Sequence, residues 1–137
     1  MKYIVNSVAE THKLAQKFAT SLKIGDVVLL HGDLGAGKTT FTQGVFSALG
    51  VTEIVNSPTF AILKSYQGKN CMLHHFDTYR ISTEEAIESG FDEILDDRQS
   101  IIFIEWSENI LPLLPDKTKN VDIKLIDENT REFNIYE

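Results

Sequence analysis

With 137 residues, 42% of them apolar and 24% charged, the chain has the make-up of a soluble globular protein, and its length predicts one domain over residues 1–137. A balance of 20 acidic against 13 basic residues gives a net charge of −7, which argues against strong direct nucleic-acid binding, because no Lys/Arg block gathers the cations. The longest aliphatic runs, VVLL and IIFI, fall far short of a membrane span, and no apolar h-region follows Met1, so neither a membrane anchor nor a secretory signal is expected.

In chain order, YIV (residues 3–5) predicts a short strand. Ser7 with Glu10 three residues later reads as a capping box, opening a helix that carries Leu14, Phe18 and Leu22 on one face. DVVLLH (residues 26–31) is a continuous apolar run, the pattern of a strand covered on both faces. A glycine-rich loop follows, then a helix with an apolar stripe of Phe41, Val45, Ala48 and Leu49, ended by Gly50. FAILKSY (residues 60–66) and CMLHHFD (residues 71–77) predict strands joined by a QGKN hairpin turn. Cys71 is the single cysteine; it excludes an intramolecular disulfide framework, fits a reducing cytoplasm and reads as an inert buried thiol.

Residues 83–97 read as helical and acidic, their charges a solvated face. SIIFIE (residues 100–105) is a second fully apolar strand. NVDIKLI (residues 120–126) and REFNIY (residues 131–136) pair across DENT as a terminal hairpin. Strands alternating with helices around two buried runs predict an α/β fold. It is a P-loop NTPase-like sheet with flanking helices and an antiparallel extension, in three α/β/α layers.

Gly32, Gly37, Lys38 and Thr39 fit the pattern G-x-x-x-x-G-K-[ST], with a buried strand before and an amphipathic helix after, as that motif requires. Each residue type has a chemical reason. The glycines let successive backbone N–H groups turn inward onto phosphate oxygens. The helix after Gly37 aims the positive end of its dipole at the same anion. Lys38 is a point charge that follows the β- and γ-phosphates, and the Thr39 hydroxyl suits a Mg²⁺ coordination position.

Phosphate chemistry on such a loop needs a carboxylate at the end of a neighbouring strand to hold Mg²⁺. Glu105 and Asp77 each end a predicted strand. A strand beside the loop strand should be buried on both faces, so Glu105, delivered by IIFI, is the stronger metal ligand. Asp77 then orients water, or holds Mg²⁺ through one. His74 and His75 are adjacent on a strand and project to opposite faces, and His12 and His31 lack ligand spacing, so no zinc site is expected. In VNSPTF (residues 55–60), Ser57 and Thr59 stand where switch GTPases carry a γ-phosphate-sensing hydroxyl; an ordinary Ser-Pro turn is the alternative.

Arginine occurs only at positions 80, 98 and 131, which leaves little for an arginine-rich lid or an arginine finger. No segment is free to form an acceptor domain, and the guanine-reading N-K-x-D pattern is absent. The residues therefore predict a chain that holds ATP, hydrolyses it slowly alone and uses the nucleotide state to act on something else. A self-contained small-molecule kinase is one alternative, and a nucleotide-gated binding module that never hydrolyses ATP is another.

The ordered set GDLGAGKTTF, SPTF, HFDTYR and IEWSE resembles the TsaE family, small P-loop ATPases of bacterial tRNA threonylcarbamoyladenosine biosynthesis, from about Ser7 onward. The resemblance implies partnership with the TsaB–TsaD transferase, in which ATP hydrolysis supports modification of the adenosine next to the anticodon of ANN-decoding tRNAs. Contact with tRNA would be indirect, through that complex. By position, Gly35, Ala36, Gly37, Lys38, Thr39 and Thr40 would cradle the phosphates, and Thr39 and Glu105 would be the Mg²⁺ ligands. Lys38, Asp77 and Glu105 would be the catalytic set, with Asp77 the catalytic acid or water-positioning residue. Trp106 would lie at the nucleotide-facing edge, Glu10 and Thr11 on the adenine side, and Arg131 near the nucleotide.

Overall fold

Alternation along the buried strands decides how the layers stack. In β2 (Val27–His31), Val28 and Leu30 enter one hydrophobic cluster while Val27 and Leu29 enter another on the opposite face. β5 (Ser100–Glu105) repeats the division: Ile101 and Phe103 face the first cluster, Ile102 and Ile104 the second. Both strands therefore need cover on both sides. The computed structural model, which describes residues 1–33, 35–58 and 62–137, provides that cover with helices on each face of a mixed sheet.

The remaining strands are β1 (Lys2–Val5), β3 (Leu63–Gln67), β4 (Met72–Asp77), β6 (Lys119–Leu125) and β7 (Arg131–Tyr136). Their order across the seven-stranded sheet is β1-β7-β6-β2-β5-β4-β3. β6, β2, β5 and β4 run parallel, and β7, β1 and β3 add antiparallel edges. The expected three-layer α/β arrangement and the terminal hairpin are both present; Leu125 pairs with Arg131 across the turn. The strand expected from residue 60 runs from Leu63; Phe60 and Ala61 lie outside the described residues.

α1 (Val8–Ser21) and α2 (Lys38–Ala48) cover the first face. At the start of α1 the Ser7 hydroxyl accepts from the Glu10 N–H at 3.1 Å, as a capping box requires. The reciprocal half lands one residue early: Asn6, not Ser7, donates its N–H to the Glu10 carboxylate at 3.3 Å. In α2 the buried stripe is Phe41, Val45 and Phe46, while Ala48 is exposed, contrary to expectation. Phe46 is drawn inward by a ring cluster with Tyr66, His75 and Phe103, their centroids 5.1–6.1 Å away.

The two helices meet closely because Gly44 has no side chain. A Cβ there would lie 2.7 Å from Ala15 Cβ and 3.2 Å from His12 Cδ2. Gly44→Ala is therefore expected to lower stability. The overpacking cost of about 1–3 kcal/mol exceeds the helix-propensity gain of about 0.5–1 kcal/mol. A urea midpoint shifted downward, at unchanged slope, is the result to look for.

The second face is covered by α3 (Thr83–Glu88), α4 (Phe91–Leu95) and a 3₁₀ segment over Ser107–Leu113. The single helix expected over residues 83–97 is thus two. Gly90 takes φ +79°, a left-handed turn that ends one helix and starts the next. Cys71 is half-buried rather than buried. Burial pushes its thiol pKa up, against a smaller opposing effect of the Ile101 backbone, which disfavours the reactive thiolate. Among the described residues, no helix is long and apolar enough to cross a membrane.

Candidate functional site

The parallel strands β4 and β5 end together, with Asp77 opposite Glu105 in register, and Leu30 near the end of β2 pairs with the same Glu105. By strand parity Asp77 and Glu105 face the side covered by α2, so both converge on the glycine loop that follows β2. This edge of a parallel sheet is where ligands bind in open α/β folds.

The loop itself is built by its glycines. Gly37, at φ +110°, caps α2 without any side-chain hydrogen bond, so the first-turn N–H groups have no side-chain cap. A Cβ at Gly32 would stand 2.7 Å from the Ile123 carbonyl oxygen, which ties the loop's first glycine to β6. Lys38, the first residue of α2, is 8% exposed and folds back over the loop, donating from Nζ to the Gly32 carbonyl at 2.7 Å.

Lys38 Nζ also lies 3.6 Å from Glu105 Oε1 and 5.2 Å from the centroid of the Trp106 ring. The other Glu105 oxygen, Oε2, is 2.7 Å from His75 Nε2. Burial alone would raise the Glu105 carboxyl. The hydrogen bond and charge of His75, then Lys38, outweigh that effect and hold it below the ordinary glutamate range. A carboxyl depressed in the folded state adds stability above its unfolded pKa, and that stability is lost as pH falls through the folded value. Below about pH 4.5, the stability of the wild-type chain is therefore expected to fall more steeply than that of Glu105→Gln. Chemical denaturation across pH 3–6 checks this, and parallel curves would contradict it.

Thr78 fastens the end of β5. Its N–H and hydroxyl both donate to the Glu105 carbonyl at 3.1 Å, and the hydroxyl also reaches the Trp106 carbonyl at 2.6 Å. Trp106 is held at φ 60°, ψ 42°, a conformation costing a non-glycine residue about 1–2 kcal/mol. The Asn109 amide ties the 3₁₀ segment to this corner through the Thr78 and Tyr79 carbonyls, at 2.8 and 3.2 Å. The strained turn sets the Trp106 ring against Tyr79, with centroids 4.8 Å apart, and over Lys38.

These groups line a cavity of about 470 Å³ that brings together Gly35, Lys38, Thr39, Asp77, Glu105 and Trp106, with Ser57, Tyr79 and Arg80. One threonine hydroxyl and one carboxylate beside a buried ammonium suit Mg²⁺ bound with a nucleotide, since that ion takes few protein ligands and completes its shell with phosphate oxygens and water. A second cavity of about 130 Å³, lined in part by Gly37, gathers Thr11, Thr40 and Arg131 with Asn6 and Asn129. Arg131 Nε donates to the Ala36 carbonyl at 3.1 Å, and Nη1 to the Asp127 and Glu128 carbonyls at 3.3 Å. Glu10 is not brought into either cavity; it is exposed, and its carboxylate turns back to Asn6. Thr59, the second expected switch hydroxyl, lies outside the described residues.

Arg80, one of three arginines scattered along the sequence and not among the expected site residues, stands exposed at the mouth of the main cavity. Its place three residues after Asp77 was the available signal. His75 was read only as a poor metal ligand. Its partnership with Glu105 has no sequence signature beyond strand parity.

A family model described as "Threonylcarbamoyl adenosine biosynthesis protein TsaE" matches residues 5–133. A tRNA threonylcarbamoyladenosine biosynthesis protein TsaE from Rickettsia felis is 45% identical over 130 residues, covering 93% of this chain and 75% of the relative. The protein of that name from Bacillus subtilis is 41% identical over 132 residues, covering 96% and 82%. A crystal structure of B. subtilis YdiB superposes with a TM-score of 0.82 at 37% identity, covering 98% of this chain and 83% of that one. With the glycine loop, the paired strand-end acids and these matches in agreement, the chain belongs to the TsaE family of threonylcarbamoyl adenosine biosynthesis proteins.

Proposed function

We propose that this chain binds ATP with Mg²⁺ in the 470 Å³ cavity and hydrolyses it in support of tRNA threonylcarbamoyladenosine formation, acting on the TsaB–TsaD transferase. The observation that carries the reading is the convergence of Lys38, Asp77 and Glu105 at one sheet edge, beside a glycine-capped helix start. Lys38 and the N–H groups of residues 35–40 hold the phosphates, and Thr39 and Glu105 hold the metal. Bound Mg²⁺ would neutralise charge developing on the transferred phosphoryl group. Asp77, whose Oδ1 accepts the Tyr79 N–H at 3.1 Å, positions the attacking water. Thr11, Thr40 and Arg131 line the path on the nucleoside side.

Dependence on a partner is supported by the cation count at the cavity. Among the described residues lining it, Lys38 is the buried cation, and Arg80 is exposed at the rim, within reach of a docked protein. The net charge of −7 supports contact with tRNA through that partner rather than directly. A pull-down of TsaB–TsaD by this chain, with and without ATP, tests the partnership. Nucleotide-dependent capture is expected; no capture in either condition would overturn it.

A further inference from the structure

His75 is fully buried in β4, and its ring meets the edge of Phe46. Its Nε2 lies 2.7 Å from Glu105 Oε2, while its Nδ1 is buried with no hydrogen-bond partner among the described residues. A buried nitrogen without a partner is destabilising, a penalty that an apolar side chain at this position would avoid. What the imidazole offers in return is the bond at Nε2. Because a carboxylate oxygen only accepts, the proton shared at this contact belongs to Nε2, which donates it to Glu105.

The consequence lies at the other oxygen. His75 occupies Oε2, and Oε1 is left turned toward the glycine loop, 3.6 Å from Lys38 Nζ and beyond a hydrogen bond from it. Lys38 meanwhile spends its short contact on the Gly32 carbonyl at 2.7 Å. We infer that His75 is a positioning residue for Glu105: it anchors one carboxylate oxygen so that the other is presented, as a single ligand, to Mg²⁺ arriving with the nucleotide. This rests on the MgATP reading above. His74, its neighbour, points away and meets the Ser65 hydroxyl at 2.7 Å, so it has no part in the arrangement.

The test measures metal binding rather than turnover. N-methylanthraniloyl-ADP is bound to the intact protein and Mg²⁺ is titrated, for the wild type and for His75→Phe, His75→Gln and His75→Asn. Partners that orient a metal ligand typically contribute 10–100-fold in metal affinity, so His75→Phe should raise the half-saturating Mg²⁺ concentration by about that factor. Its ADP affinity in EDTA should stay within about threefold of wild type. Glutamine places its amide nitrogen near the Nε2 position and should restore Mg²⁺ response; asparagine reaches only the Nδ1 position and should not. The glutamine–asparagine contrast serves even if the phenylalanine variant fails to fold. Equal Mg²⁺ response in folded variants, whatever their thermal stability, would overturn the inference and leave His75 a packing residue. If wild type itself showed no Mg²⁺-dependent gain in ADP affinity, the MgATP reading would fall, and the inference with it.

Discussion

Lys38→Met is expected to lower ATP turnover by on the order of 10²–10³-fold, in line with the loss of one preorganised group that stabilises transition-state charge. Methionine keeps much of the buried stem, so the loss isolates the ammonium. That ammonium is positioned in advance: it is 8% exposed, 2.7 Å from the Gly32 carbonyl and 3.6 Å from Glu105. It needs only to exchange the carbonyl for phosphate oxygens. Nucleotide affinity should fall as well, because the glycine loop's N–H groups remain but the buried ammonium beside them does not. Phosphate release and calorimetric titration measure both, and turnover within threefold of wild type would contradict the assignment of Lys38.

The second large effect concerns Glu105, and it separates stability from chemistry. Glu105→Gln leaves Lys38 buried without its counter-charge, a situation that typically costs about 3–5 kcal/mol. The nucleotide-free variant should therefore unfold at distinctly lower denaturant. Phosphates would restore the missing negative charge beside Lys38, so saturating ADP in EDTA should stabilise the variant more than it stabilises wild type. Adding Mg²⁺ should then add little for the variant and much for wild type. A variant that responds to ADP and Mg²⁺ as wild type does would remove Glu105 from both roles.

Much of this machinery was legible in the chain. VVLL and IIFI are apolar on both faces because they form the two adjacent central strands, and that adjacency puts Glu105 beside the glycine loop. Local pattern sufficed there because strand burial and period are local properties. The terminal hairpin was readable for the same reason. What escaped depends on contacts distant in sequence. The 3₁₀ segment over Ser107–Leu113 exists because Asn109 is held by Thr78 and Tyr79 carbonyls about 30 residues away in sequence. Ala48 looked like part of the helix stripe, yet the inner face turns through Phe46 to meet rings from β3, β4 and β5. Glu10 matched the spacing of a capping box but satisfied Asn6 instead, a shift of one residue that spacing alone does not resolve. At the site, Lys38, Thr39, Asp77 and Glu105 were found from strand ends and motif spacing. His75 and Arg80 were not singled out, because their relevance comes from which face and which rim the fold gives them.

The cavity at the sheet edge holds Lys38 and Glu105 buried side by side, with Arg80 exposed at its rim. Partner-dependent ATP hydrolysis is tested most directly by the rate of ATP hydrolysis by the chain alone and with TsaB–TsaD added at saturating Mg²⁺. Slow turnover alone and a marked acceleration with the transferase proteins, lost in Lys38→Met, is the expected result. Equal rates in the two conditions would contradict it.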